Sequence, residues 1–227
     1  MKTIQVYGSG MPRTADHDLR RTQIAAAVQR MIAHAGFDAA TMAAVAREAG
    51  ISVGLVQHYF KSKDELLLFA YEGMTADQLA RVGRLIAAGE ADHQPIRAIL
   101  LRCMPELWPL DDARRGEYRV GRVFRARSLD NPTIAEVARQ TAAIVHAQIA
   151  RAVANGKECG EVEPETDPDL TALELAALIE GLADDLYREP ERPVGERTMG
   201  DAAAAILQAR LEHHFPGECR HYARTGP

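Results

Sequence analysis

The chain has 227 residues, of which 47% are hydrophobic and 26% charged, with a formal net charge of −5, and it reads as an ordinary globular protein large enough to bury a real core. No apolar run reaches the roughly 18 residues that a membrane-spanning helix needs, and the N-terminal stretch MKTIQVYGSGMPRTADHD lacks the apolar centre of a secretory signal. Three widely spaced cysteines, Cys103, Cys159 and Cys219, argue against a disulfide framework and fit a reducing, cytoplasmic setting.

The charge is unevenly placed. Residues 1–63 carry eight Lys and Arg against four Asp and Glu, and the remainder carries 19 against 28. A basic head on an acidic body points to a polyanionic partner at the head alone.

In chain order, residues 1–17 show no periodicity and read as a flexible, solvated arm, from which Lys2 and Arg13 could reach phosphate. From Asp18 onward, Ile24, Ala27, Val28, Met31 and Ile32 recur as the apolar stripe of a helix that Gly36 ends. Phe37 is expected to plug the base of a three-helix head. Residues 41–63, TMAAVAREAGISVGLVQHYFKSK, then hold two short helical patterns meeting at Gly50-Ile51-Ser52. Thr41 and Ser52 stand where N-caps belong, Gly50 can take the positive φ of the turn, and Ala46 is small enough for a close crossing. This is the sequence form of a helix-turn-helix, whose second helix enters the DNA major groove.

Ser62 and Glu65 have capping-box spacing and start a helix that runs towards Ala88. Lys63 falls at its first position, where a cation opposes the helix dipole and a bound phosphate would relieve the conflict. Beyond residue 90, helices are predicted near 93–107, 111–128, 132–155, 168–188 and 197–214, broken at 105–109, 131–132, 156–168 and 189–195. No period-two pattern holds for long, so the fold class is all-α. Leu170, Leu173, Ala177, Leu178, Leu182 and Leu186 form an apolar face on one of the last two helices. Met199, Ala203, Ile206, Leu207 and Leu211 form one on the other. These two helices are expected to meet their copies in a second subunit as a four-helix bundle.

Catalytic chemistry is not expected. No Ser-His-Asp spacing, glycine-rich phosphate loop or carboxylate dyad stands out, so the chain reads as a non-enzyme without a cofactor. His213, His214, Cys219 and His221 cluster near the end, but their spacing matches no compact zinc motif and no metal site is expected. Cys103 reads as a buried, inert thiol.

Ile24, Ala27, Gly36, Phe37, Thr41, Val45, Ala46, Ala49-Gly50-Ile51-Ser52, Gly54, Tyr59-Phe60, Lys63 and Leu66 together resemble the TetR family of bacterial transcriptional regulators. The resemblance is detailed only over about the first quarter of the chain; the rest matches in layout. It implies a homodimer on a palindromic double-stranded DNA operator, usually a repressor, from which a small molecule bound in the C-terminal domain releases it. Domains would run 18–64 for the DNA-binding head and 65–215 for effector binding and dimerisation, with a tail at 216–227. By position, Thr41, Gln57, Tyr59 and Lys63 match phosphate-contacting places, and Ser52 caps the reading helix. Val53, Gly54, Leu55 and His58 match places facing base edges or the groove wall. The chain departs from the usual pattern at Gln57, where tyrosine is common, and at Val53 and Leu55, which are apolar where polar readers are frequent. Apolar groups recognise thymine methyls but make no bidentate bond to guanine.

The effector site would lie among the helices from 93 to 188. Met104, Trp108, Tyr118, Phe124, His146 and Tyr187 are its candidate lining, with Arg122 and Glu180 as polar anchors. Arg115, Arg119 and Arg122 share one helix face, which reads as a basic stripe paired with the acidic body. The alternative to a ligand-responsive repressor is a DNA-binding dimer without a small effector, its C-terminal domain serving dimerisation or a protein partner.

Overall fold

A computed structural model describes residues 13–220. These form two compact units, residues 1–73 and 74–227 as the chain is divided. The arm expected at 1–17 lies largely outside the described residues. Helix α1 begins at Arg13, earlier than the Asp18 expected, and runs to Ala35 (Arg13–Ala35). No proline or glycine interrupts that span, so nothing stops the helix from extending back.

The first unit contains α1, α2 (Met42–Ala49), α3 (Val53–Tyr59) and the start of α4 (Lys63–Ala91). Ile24, Val28 and Ile32 of α1, Val45 and Ala46 of α2, Val56 and Phe60 at α3, and Leu66 and Leu67 of α4 are buried together. Two glutamines add long-range bonds. Gln23 donates to Ala49 O at the end of α2 (2.8 Å) and Gln29 donates to Ala70 O of α4 (2.7 Å). The guanidinium of Arg21 lies 4.4 Å from the ring centre of Phe69 and 5.2 Å from that of Phe60. A cation over an aromatic face is attracted by the ring quadrupole.

The second unit holds the rest of α4, α5 (Ile96–Cys103), a 3₁₀ turn (Met104–Leu107), α6 (Asp112–Arg127), α7 (Pro132–Cys159), α8 (Pro168–Arg188) and α9 (Met199–His214). The helix expected over 93–107 therefore divides. Pro105 has no N–H for the α ladder, and the chain tightens into 3₁₀ geometry before it. Pro193–Val194 and Arg197–Thr198 pair as a two-residue antiparallel hairpin, too short to leave a periodic pattern. α9 starts at Met199 and not at 197 because Thr198 is its N-cap, accepting from Asp201 N (3.1 Å).

The core of this unit joins Leu100, Met104, Trp108, Val153, Leu175, Leu186, Leu207, Leu211 and Phe215. Trp108 donates its indole N–H to Ile179 O of α8 (3.3 Å). Arg81 of α4 grips Glu117 of α6 with two bonds of 2.9 and 2.7 Å. The apolar faces expected on the last two helices split. Leu182, Leu186, Met199, Ala203, Leu207 and Leu211 are buried within the chain, whereas Leu170 (66% exposed), Leu173 (59%) and Ile206 (41%) point outward.

Glu161 is the one charged side chain among the buried residues described, at 1% exposure. Its carboxylate accepts from Ile96 N (2.9 Å) and Arg97 N (3.1 Å), the first free donors of α5, where a negative charge also meets the positive end of the helix dipole. Glu161→Ala would leave both donors unsatisfied and should lower stability by about 3 kcal/mol. Thermal and denaturant unfolding followed by circular dichroism measures this; an unchanged midpoint would contradict the role.

Candidate nucleic-acid interface

The turn between α2 and α3 is built as its residues dictate. Thr41 Oγ1 accepts from Ala44 N (3.2 Å) and Ser52 Oγ from Leu55 N (3.2 Å), so each short helix has an N-cap. Gly50 takes φ 68°, the left-handed conformation that closes α2, with Ile51 N returning to Ala46 O (2.9 Å). α3 then presents two different sides. Val56 and Phe60 are fully buried. Val53, Gly54, Gln57 and His58 are exposed, and Leu55 and Tyr59 are half-buried. A Cβ at Gly54 would have no heavy atom within 4 Å, so the start of the helix is open to an approaching surface.

Lys63 does not simply point into water. Its ammonium sits 4.0 Å from the ring centre of Phe37, which is half-buried, so the residue expected to plug the base of the head also seats a cation. Tyr59 packs edge-on against His58 and against His17 of α1, with ring centres 5.3 and 4.8 Å apart. The Ser62 half of the capping box forms, with Glu65 N donating to Ser62 Oγ (3.1 Å), while Glu65 Oε2 accepts from Lys61 N (2.7 Å), one residue before the cap.

Sequence reasoning missed Lys61. Its Nζ donates to Gln57 O (3.0 Å) and His58 O (3.1 Å), the open carbonyls at the end of α3. A lysine just past a predicted helix end was the available signal.

The eight candidate effector residues do not gather into one site. Met104, Trp108 and Phe124 are buried core side chains at 5, 2 and 0% exposure. His146 hydrogen-bonds Asp169 O through Nε2 (3.1 Å), and Glu180 pairs with Arg125 (2.9 Å) on the surface. Three of the eight do meet. Tyr118 of α6 stacks on Tyr187 of α8 with ring centres 4.7 Å apart, and Arg122 reaches Asp184 (3.3 Å). The Tyr118 hydroxyl donates to Asp184, which Arg188 also contacts. Arg115 covers Tyr187, its guanidinium 4.6 Å from the ring centre, and donates to Tyr187 O (2.9 Å). Two members of the basic stripe of α6, Arg115 and Arg122, are thus engaged by α8. The adjacent Asp185 turns the other way, to Arg192 (3.3 Å).

The Tyr118 hydroxyl bond, reinforced by Arg122 and Arg188, holds the Asp184 carboxyl below its ordinary value of 3.8. Burial, followed by the bond to Asp184, pushes Tyr118 up to about 12. Because the Asp184 carboxyl is depressed in the folded state, its stabilisation is present above 3.8 and fades as pH falls through the folded value. Asp184→Asn should therefore lower the thermal midpoint at pH 7, with the gap from wild type closing below pH 3.8. A gap constant from pH 7 to pH 3 would show that the charge of Asp184 contributes nothing.

Residues 24–70 match the family described as bacterial regulatory proteins, tetR family, and residues 96–216 match the C-terminal domain of BetI-type transcriptional repressors. The chain is 29% identical over 182 residues to the HTH-type transcriptional regulator PksA of Bacillus subtilis, covering 80% of this chain and 85% of that one. It is 30% identical over 175 residues to the HTH-type transcriptional regulator BetI of Burkholderia mallei, covering 76% and 84%. Its fold is that of a transcriptional regulator from Saccharomonospora viridis solved in complex with choline, with a TM-score of 0.75, 23% identity and coverage of 88% and 99%. A helix-turn-helix with an outward-facing second helix, followed by an all-helical unit of BetI type, places this chain in the TetR family of DNA-binding transcriptional regulators.

Proposed function

We propose that this regulator is a homodimeric repressor that reads a palindromic operator through α3 and leaves it when a small molecule occupies the second unit. The observation that carries the DNA reading is the division of α3. Val56 and Phe60 are its buried anchors, and Val53, Gly54 and His58 are exposed, with Leu55 half-buried, at positions matching those that face base edges or the groove wall in the family. Val53 and Leu55 meet thymine methyls, Gln57 or His58 supplies hydrogen bonds, and DNA shape contributes the rest. Thr41, Gln57, Tyr59 and Lys63 are assigned to phosphates. The protein would act in the cytoplasm, where its operator is.

Dimerisation is assigned to α8 and α9. Leu170, Leu173 and Ile206 are exposed, and Ala202, Ala205, Ile206 and Ala209 line an open groove of about 530 Å³ with Val194 of the hairpin. Small side chains let a second pair of helices approach closely, and two linked heads gain affinity on two half-sites.

The effector reading draws support from the choline-bound neighbour and from the BetI-type match of the second unit. Within this chain, Tyr118, Arg122 and Tyr187 offer an aromatic and charged wall. A second reading, a dimer without a small effector, is favoured by one observation: Met104, Trp108 and Phe124 are packed in the core. Operator release by choline or by another compound in a screen separates the two, and no release by any compound supports the second.

Binding to the operator mapped near the gene should fall steeply with salt, because phosphate contacts release counterions. Lys63→Ala should weaken binding to all sequences and, with one Lys63 in each subunit of the dimer, reduce the salt slope by about two. Gln57→Ala should cost about 1–3 kcal/mol at one base pair of each half-site if that amide reads a base, and affect all sequences alike if it holds phosphate. Replacing thymine by uracil across the half-site should weaken binding; equal affinity would remove the methyl contacts from the reading. Ile206→Asp, at an exposed position, should yield a folded monomer by analytical ultracentrifugation, and a persistent dimer would move the interface elsewhere.

A further inference from the structure

The end of α7 and the segment after α9 come together around two thiols and a buried carboxylate. α7 closes at Cys159, and Gly160 takes φ 93°, which turns the chain back so that Glu161 points into the interior at the start of α5. The segment beyond α9 lies directly on this turn. Gly217 N donates to Glu161 O (3.0 Å), and a Cβ on Gly217 would fall 2.1 Å from Gly160 O, so backbone meets backbone with no room between. Arg97 ties the same segment down by donating to Phe215 O (3.1 Å). The result brings Cys219 to Cys159 across 60 residues of sequence, with the two sulfurs and a Glu161 carboxylate oxygen within 4.8 Å of one another.

We propose that Cys159, Glu161 and Cys219 form a binding site for a thiophilic divalent cation of the zinc class. A tetrahedral zinc site has metal–ligand bonds of about 2.0–2.3 Å, which separate its donors by roughly 3.5 Å, so a contraction of about 1 Å completes the three-ligand set. The donor types agree with this choice. Two soft sulfurs select zinc or cadmium over magnesium or calcium, and one carboxylate oxygen is compatible with either. Glu161 is already fixed by Ile96 N and Arg97 N (2.9 and 3.1 Å), which is the second layer of bonding that orients a metal-ligating carboxylate. Its oxygens retain lone pairs, because a carboxylate offers about four acceptor sites. Cys159 Sγ lies 3.5 Å from both that carboxylate and Gly156 O, which share its single proton. On binding, the two S–H bonds are replaced by two metal–sulfur bonds, two protons pass to solvent, and no oxidant is required. Two thiolates and a carboxylate carry more negative charge than one divalent cation neutralises. Arg220, whose guanidinium lies over Gly160, and Arg97 stand beside the site to offset the difference.

His213 and His214 are engaged elsewhere. His214 is engaged with Glu174 (3.1 Å), and His213 stacks edge-on with His214. The inference does not depend on DNA or effector binding, and its test reads neither.

Full-length protein, freed of metal by chelator and kept reduced, is titrated with Cd²⁺ while thiolate-to-metal charge-transfer absorption is followed in the ultraviolet, with Zn²⁺ as competitor. The expected result is one equivalent of Cd²⁺ bound with a two-thiolate band, displaced by Zn²⁺. Cys159→Ser and Cys219→Ser should each lose at least half the band and weaken binding by about a hundredfold, a loss at the upper end of that seen when a metal site is disturbed. Cys103→Ser, which changes a thiol bonded to Val82 O outside the cluster, should leave the titration unchanged. Circular dichroism of each variant confirms that it is folded. No saturable binding by wild type, or binding that survives both serine substitutions, overturns the proposal. So does an intact mass two hydrogens lighter after air exposure together with no metal uptake by the reduced form, which would make the pair a disulfide.

Discussion

A helix of seven residues cannot hold itself in water, and α3 is that short. It exists because it is fastened at both ends and at one point between. Ser52 Oγ takes Leu55 N at the start (3.2 Å), Lys61 Nζ takes the carbonyls of Gln57 and His58 at the end (3.0 and 3.1 Å), and Val56 anchors the middle. Phe60 follows as a buried plug, with Arg21 stacked on it. Because fastening is complete at these places, the outward residues carry no structural duty. That separation leaves the exposed side chains of Val53, Gln57 and His58 open to change without loss of the bonds that hold the helix.

The second unit uses polar groups in the opposite way, to join helices to one another. Arg81 with Glu117, Trp108 with Ile179 O, Tyr118 with Asp184 and Glu161 with the start of α5 each link helices distant in sequence. Each of these bonds has strict geometry, whereas the apolar contacts around Leu175 and Leu207 tolerate sliding. The bonds therefore fix which helix meets which, and the apolar core supplies most of the burial. A small molecule that changes this unit has to break or rearrange some of these bonds, and the Tyr118–Asp184–Arg122 group is the most solvent-accessible of them.

The head was largely legible because its signals are local. N-caps and a glycine turn each depend on residues within four positions, and Thr41, Gly50, Ser52 and Ser62 all took the geometry their spacing implies. The helices of the second unit were legible for the same reason, with errors where Pro105 and Thr198 fixed the ends and where the hairpin at 193–198 was too short for a pattern. Interactions across long separations were not legible. Nothing in the order of residues couples Tyr118 to Tyr187, Cys159 to Cys219, or Lys63 to the face of Phe37. Aromatic and Met residues were read as pocket lining from type alone, and Trp108, Met104 and Phe124 turned out to be core, since the same apolar chemistry serves both purposes.

The composition of the α3 face also constrains how this regulator tells one operator from another. Residues 53–59, VGLVQHY, contain no arginine or lysine, so the bidentate bond to guanine that gives many readers their discrimination is missing from the helix itself. Under the proposed assignment, two hydrogen-bonding side chains, Gln57 and His58, and two apolar ones, Val53 and Leu55, select the sequence. In the same assignment the cations that hold the DNA backbone lie outside the helix, at its edges. Lys63 suits that task, since its ammonium lies 4.0 Å from the ring centre of Phe37 at the start of α4. A cation preplaced by such a contact loses less freedom on meeting a phosphate. On this reading, strength and selectivity are carried by different residues: the fixed charges hold the backbone of any DNA, and a mostly apolar face admits only the sequences whose methyl groups and groove shape fit it.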